Sequence, residues 1–555
     1  MAIRSIVLTL PLLAIALPLG AQVARQPVVQ SIATPILSVG NLKFRDLDRS
    51  GTLDPYEDWR LPSAARAADL VTRMTLEEKA GAAVHGTAPS GGGPMGGGRT
   101  YDSTAAIAQV MQRHVNSVIT RLSIPPADFA AQNNLLQAIG ERSRLGIPLT
   151  ISTDPRSHFQ VIAGASVATS GFSQWPETLG LGALDDAALV KRFASIVRQE
   201  YRAVGIQMAL SPQADLGTEP RWSRITVTFG ESPTRVGAMV AAYVQGMQGS
   251  NTGLTRDGVA TVVKHWVGYG ASVDGFDGHN HYGRFARFPG NRFSDHVTPF
   301  LGAIASNVVG VMPTYDILNG LSIDGSLSIT RLNEAVARIM VVKFDLGLFE
   351  NPYVDPAQAA TIVGNAQYRN EGLAAQAKAV VVLENSRGAR MLPAAGAKLF
   401  LHGVDSAVAR ARGYTVVSNA RDADVAVVRL AAPFQTLHPT FFFGSFQHEG
   451  DLDYKDTDST LTLLKATAAT VPTIVVVYLD RPAILTAIQP LAKTLIGEFG
   501  VSDGALFDVL TGKVRPTGRL PFELPRSMEA VRAQKVDVPH DSPSPLYPFG
   551  YRARL

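Results

Sequence analysis

The sequence predicts an α/β protein in two parts: an incomplete (β/α)-barrel-like N-terminal domain followed by an α/β sandwich domain. Three observations carry this. Six short apolar runs alternate with helical stretches between residues 80 and 312, the rhythm of parallel strand–helix units. Five more buried-strand runs follow Gln367. A chain of 555 residues, 46% hydrophobic and 18% charged, holds enough apolar material for two or three cores, which excludes general disorder.

Residues 1–21 read as a signal peptide. Arg4 supplies a positive charge, Ser5 to Gly20 is apolar but broken by Pro11 and Pro18, and Leu19-Gly-Ala21 suits cleavage. Export is therefore expected, to a periplasm or the extracellular space. No later segment has 18 uninterrupted apolar residues, so no membrane partner is expected once the leader is removed. Residues 22–40 read as a linker, and 41–350 as the barrel-like domain.

Within that domain the expected strands are Ala80–Val84, Val115–Thr120, Ile147–Ser152, Ile206–Ser211, Val259–Lys264 and Val308–Met312. Helices are expected over Pro126–Leu145, Asp186–Val204 and Thr234–Gln248. Each apolar run ends in a polar cluster: His85, Arg121, Asp154, Gln213 with Asp215, Lys264-His265, and Thr314-Tyr315. In a parallel barrel the C-terminal strand ends build the site, so six such clusters in series point to one mouth. Residues 351–366, with Pro352 and Pro356, read as a second linker. In 367–555 strands are expected at Ala379–Leu383, Lys398–Leu401, Val425–Val428, Thr473–Tyr478 and Thr494–Gly497. Ser90–Gly98 is Gly-rich but lacks the Lys-Ser/Thr ending of a phosphate loop.

Composition narrows the chemistry. Lys plus Arg is 51 against 47 Asp plus Glu, with no basic run, so nucleic acid is not an expected partner. Cysteine is absent, which removes disulfides, thiolate nucleophiles and Cys-ligated metals. Carboxylate (Asp154), guanidinium (Arg221), ammonium (Lys264) and imidazole (His265) converging on one mouth suit a hydroxyl-rich ligand. Trp222, Trp266 and Tyr315 offer flat faces for a sugar ring.

Several ordered motifs resemble family 3 glycoside hydrolases of the β-glucosidase type. They are Phe44-Arg-Asp-Leu-Asp48, Leu53 to Arg60, Met74 to Lys79, Pro220-Arg-Trp-Ser-Arg224, Lys264-His265, Lys343 to Phe349, Gly518 to Phe522 and Pro545 to Gly550. The resemblance implies removal of single sugars from non-reducing ends with retention, and a carbohydrate partner. It implies that Asp154, Arg221, Lys264 and His265 grip the terminal sugar, with Tyr315 nearby. It also implies an Asp nucleophile on a seventh strand, in a Ser/Thr-Asp-Trp setting, and a Glu acid/base from a second-domain loop. Retaining chemistry needs two carboxyls about 5–5.5 Å apart.

The sequence departs from this pattern after Tyr315. No Ser/Thr-Asp-Trp follows, and only Asp316 to Thr330 precede the next helix, Arg331–Leu346. Two more strand–helix units would need on the order of 60 or more residues. The nucleophile is therefore unassigned, with Asp316 and Asp324 the carboxylates nearest by position. For the acid/base, Glu449 stands out in Phe446-Gln-His-Glu-Gly-Asp-Leu-Asp453, preceded by Phe441-Phe-Phe443; Asp451 and Asp453 are the alternatives. The departure leaves two readings open: a hydrolase, or a carbohydrate-binding relative without turnover. A β-N-acetylhexosaminidase is set aside because Lys264-His-Trp-Val-Gly-Tyr-Gly270 lacks the His-containing loop of that branch.

One motif stands apart. Asp46, Asp48, Ser50, Gly51, Leu53, Asp54 and Glu57 fall at positions 1, 3, 5, 6, 8, 9 and 12 of a calcium loop. Ca²⁺ is thus a candidate ligand, against the alternative of an acidic turn docking the N-terminal arm. No cofactor is required by the chemistry.

Overall fold

The computed structural model describes residues 25–91, 98–162, 165–167, 169–318, 328–388 and 390–554. The expected leader, most of the Gly-rich run and Asp324 lie outside the described residues. The described chain opens with an antiparallel hairpin, β1 (Ile36–Val39) and β2 (Leu42–Arg45), so the expected linker of 22–40 already contains a strand.

Five strands of one sheet follow: β3 (His85–Thr87), β4 (Ser117–Ile119), β5 (Thr150–Thr153), β6 (Met208–Ala209) and β7 (Ala260–Trp266). After the two-residue β8 (Phe285–Ala286) comes the sixth, β9 (Gly310–Pro313). The order is β3-β4-β5-β6-β7-β9, parallel throughout. β10 (Ile317–Leu318) pairs with β8 beside it. The sheet curls but ends at β3 and β9, which among the described residues do not pair with each other.

Local chemistry sets the helices. Thr75 and Glu78 form a reciprocal capping box that starts Leu76–Ala82. That helix takes up much of the segment read as the first strand, which begins only at His85. Pro126 occupies the first turn of Pro126–Glu141, Asp186 caps Ala187–Ala203, and Gly249 at φ 82° ends Pro233–Gln248. The expected linker of 351–366 carries a helix, Pro356–Ile362, packed on Pro126–Glu141 and Ala187–Ala203.

The helix Ile329–Asp345 underpins the open sheet. Val336, Met340 and Phe344 pack with Leu47, Tyr56, Leu70 and Met74 in one core. On the same helix Lys343 is fully buried, donating to Asn116 O at 2.7 Å, Pro148 O at 2.9 Å and Thr150 Oγ1 at 2.7 Å. These acceptors precede β4 and begin β5, so the lysine plugs the N-terminal end of the sheet. Burial holds its amine well below the ordinary lysine range.

The second domain has six strands: β11 (Val381–Asn385), β12 (Lys398–His402), β13 (Thr415–Val417), β14 (Val425–Ala431), β15 (Thr473–Tyr478) and β16 (Thr494–Glu498). Their order is β11-β16-β15-β14-β12-β13, with only β11 antiparallel. Period-two alternation divides them between two cores. Val425, Val427, Ile474 and Val476 face one, with Leu506 and Leu510 of helix Asp503–Leu510. Ala426, Val428, Val475 and Val477 face the other, with Trp222 and Tyr269 of the first domain. That second core joins the two domains.

Candidate active site

The strand ends gather a buried charged cluster. Asp154 directly follows β5, and its Oδ1 accepts from Lys264 Nζ at 3.1 Å while its Oδ2 meets Arg121 at 3.0 Å. Asp154 and Lys264 are buried together. Burial alone would raise the Asp154 pKa, but the positive charges of Lys264 and Arg121 reverse this and hold it below the usual carboxylate range. Burial lowers Lys264 in turn, and Asp154 opposes that fall.

His265, next on β7, turns to Asp215. Its Nδ1 lies 2.9 Å from Asp215 Oδ2, and its backbone N–H donates to the same carboxylate at 3.2 Å. Burial, then Arg224 and Lys264, drive the His265 pKa well below its ordinary value, so the ring is neutral at pH 7. Burial pushes Asp215 up to about 7. His265 Nε2 is buried with no hydrogen-bond partner among the described residues.

From His265 an aromatic chain leads to the second domain. The Tyr315 ring sits 5.3 Å from His265 and 3.6 Å from His279, and His279 lies 4.4 Å from Phe443. His279 Nδ1 is 2.6 Å from Asp277 Oδ1, and Gln447 of the second domain donates to Asp277 Oδ2 at 2.6 Å. Burial opposes ionisation of Asp277, yet His279 and Arg224 bring its pKa down to about 2. Two residues from Gln447, Glu449 is buried, accepting from Tyr282 OH at 2.8 Å and lying 2.9 Å from His438 Nδ1. The Tyr282 and His438 rings stack at 3.5 Å. The loop carrying Glu449 is thus clasped to the rim of the first domain.

Asp316 lies beside this network. Its Oδ2 accepts from Ser272 Oγ at 3.2 Å, and its Oδ1 is buried without a partner among the described residues. Burial, with Asp277 and Asp215 nearby, pushes it up to about 8. A cleft of about 240 Å³ opens between the domains, lined by Arg224 and Ser223 on one side and Gln447, His448 and Asp480 on the other.

The structure thus joins Asp154, Lys264, His265 and Tyr315, and brings Glu449 to the same rim. Arg221 turns elsewhere: it pairs with Glu219 at 2.9 Å and Asp274 at 3.2 Å. Arg224, three residues on, takes the place beside the pocket, within 5.5 Å of the Tyr269 ring and 3.3 Å from Gln213 Oε1. Trp222 is fully buried and offers no face to a ligand, whereas Trp266 and Tyr315 are over one-third exposed. Asp451 and Asp453 pair with Lys455 on the surface. Sequence reasoning missed Arg224, Asp277, His279 and Gln447. Arg224 shares a motif with Arg221, and only the direction of the turn separates them. Asp46, Asp48, Ser50, Asp54 and Glu57 gather away from this rim, between β2 and helix Ser63–Arg73.

Fold and site define a class: a two-domain α/β protein with a charged, aromatic-rimmed cluster at the C-terminal ends of a parallel sheet. The chain belongs to glycosyl hydrolase family 3. The family's N-terminal domain model matches residues 83–336 and its C-terminal domain model residues 370–554. A periplasmic β-glucosidase/β-xylosidase of Dickeya chrysanthemi is 42% identical, covering 99% of this chain and 98% of its own. That comparison spans 648 positions, more than the 555 residues present, so the relative holds residues without counterpart here. β-Glucosidase C of Emericella nidulans is 34% identical over 91% of this chain and 94% of its own. Among solved structures, a β-glucosidase of Erythrobacter marinus superposes with a TM-score of 0.73 at 20% identity, covering 90% of this chain and 84% of that one. One from Listeria innocua in complex with glucose gives 0.69 at 20% identity, covering 88% and 83%.

Proposed function

We propose that the chain is an exported, periplasmic β-glucosidase-like glycoside hydrolase. It takes the non-reducing-end sugar of a β-glucoside or short oligosaccharide and works with retention. Asp154 and Lys264, with Arg121 and Arg224, grip the sugar's hydroxyls. His265 and Tyr315 line the ring, and Glu449 handles the proton. Arg221 serves from outside the pocket by holding Glu219. The observation that carries this reading is Asp154, a buried carboxylate held ionised between Lys264 and Arg121 at a strand end. Paired charges with hydrogen-bonding capacity to spare suit neighbouring hydroxyls. The periplasmic relative supports the location.

A second reading, sugar binding without turnover, has its own support. Among the described residues the parallel sheet ends at β9, and no Ser/Thr-Asp-Trp follows Tyr315. The rim carboxyls are poor substitutes for a nucleophile. Asp316, up at about 8, is largely protonated at neutral pH, and Asp277 spends its oxygens on His279 and Gln447. Incubation with an aryl β-glucoside, then with a fluorinated mechanism-based inactivator and peptide mass analysis, separates the two. Turnover with a labelled Asp establishes the hydrolase. Glucose binding without turnover or label establishes the second reading, and neither binding nor turnover overturns both.

A further inference from the structure

The sugar pocket leaves one motif of the sequence without a role: the acidic loop from Asp46 to Glu57. It lies at the other end of the first domain. Leu47 and Tyr56 from the loop are buried in the core that contains Leu145 and Ile147, ahead of β5, and Phe344 of the supporting helix. The loop is folded around its own carboxylates. Asp46 Oδ2 accepts from Gly51 N at 3.1 Å, and Asp48 Oδ1 accepts from Ser50 N at 3.0 Å. Glu57 receives the backbone N–H groups of Leu47 at 2.6 Å and Asp54 at 3.0 Å. Gly51 turns the chain at φ 77°, a conformation that a side chain would strain.

Two observations point beyond a self-contained turn. One oxygen each from Asp46, Asp48 and Glu57 lies within 4.8 Å of the other two. Asp46 is also only 3% exposed, and its Oδ1 has no hydrogen-bond partner among the described residues. A buried carboxylate oxygen left bare is costly, so a charge or donor is called for there. The guanidinium of Arg73, which reaches the loop, does not supply it. Arg73 bonds Asp54 at 2.8 Å and Asp69 at 2.9 Å and stands 3.8 Å from Asp48. The available donors are all oxygens, including Ser50 Oγ, a hard set that favours Ca²⁺ or Mg²⁺ over zinc or copper, whereas both oxygens of the expected Asp54 are held by Arg73. A twelve-residue loop ending in Glu favours the larger ion.

We propose that Asp46, Asp48 and Glu57, with Ser50, form a Ca²⁺ site that pins the N-terminal arm to the lower end of the first domain. Its role is structural, since the sugar pocket lies at the opposite ends of the strands. Among the described residues the end strands of the sheet do not pair, and such a clasp supports the end that Lys343 plugs.

The test uses the full chain stripped with EDTA and titrated with CaCl₂ or MgCl₂, followed by calorimetry and thermal melting. Terbium emission sensitised through Tyr56 or Trp59 gives a second readout. The expected results are saturable binding of Ca²⁺, a melting temperature raised by a few degrees, and terbium emission displaced by Ca²⁺. Asp46→Asn should weaken Ca²⁺ at least tenfold, and Mg²⁺ should bind more weakly than Ca²⁺. Absence of binding heat and melting shift at millimolar Ca²⁺ in the unaltered chain would overturn the proposal, even if the variant fails to fold. So would Ca²⁺ affinity unchanged by Asp46→Asn, or Mg²⁺ binding as tight as Ca²⁺.

Discussion

Asp154→Asn keeps the size of the side chain and removes its charge. Lys264 Nζ, 3.1 Å away, and Arg121, 3.0 Å away, then face a neutral amide instead of a carboxylate. Removing one partner of a buried pair typically costs about 3–5 kcal/mol, mainly because a buried cation is left unbalanced. The same carboxylate is the proposed acceptor for sugar hydroxyls. Each charge-assisted hydrogen bond lost there weakens binding by about 1.5–3 kcal/mol, or roughly ten- to a hundredfold. Thermal melting reads the first effect and glucose titration calorimetry the second. Lys264→Met supplies the partner for a double-mutant cycle, in which Asp154→Asn/Lys264→Met should lose less stability than the sum of the single variants. Additive losses, or an Asp154→Asn chain with unchanged melting and glucose affinity, would refute the coupling argued from the geometry.

Three further outcomes follow from particular contacts. Asp316 carries a proton in the folded chain up to about pH 8, whereas an unfolded Asp releases it near 3.9. The folded state thus binds the extra proton, and this contribution is full below about pH 4 and is lost as pH rises through 8. Asp316→Asn should therefore lose less stability than the unaltered chain between pH 5 and pH 9; parallel curves would contradict this. Gly270→Ala would set a Cβ 1.7 Å from Leu216 O, next to Asp215, so a loss beyond the usual 1–3 kcal/mol of overpacking is expected, and an unchanged melting temperature would count against it. Lys343→Met keeps the aliphatic stem but leaves Pro148 O without its donor, at about 1–3 kcal/mol, whereas Asn116 O keeps the Thr150 N–H at 2.9 Å; Lys343→Ala should melt lower still.

The elements legible in the sequence are those whose physics is local. Thr473–Tyr478 coincides with the observed strand, because a run rich in β-branched residues leaves little choice. The open sheet was legible too, since strand–helix units take a minimum length and Asp316 to Thr330 is too short for two more. The first strand was misplaced because Ala80-Gly-Ala-Ala-Val84 is apolar enough for either state, and the capping box at Thr75 decides for helix. β13 is a three-residue edge strand with little burial and no strong pattern. In the site, Asp154, Lys264 and His265 were readable because a strand end fixes where they point. Arg221 and Arg224 were not separable, since a turn with a short 3₁₀ segment at Ile225–Val227 sets their directions. Asp277 and Gln447 meet only because two domains pack together, and no pattern along one chain encodes that contact.

The account depends on the pocket around Asp154 receiving the end unit of a glycan. A crystal structure of the chain soaked with glucose tests this most directly. The expected result is a pyranose seated against Asp154, Lys264 and Arg121, with Tyr315 along its face. Density for glucose at another place, or an Asp154 pocket that stays free of sugar at saturating glucose, would contradict it.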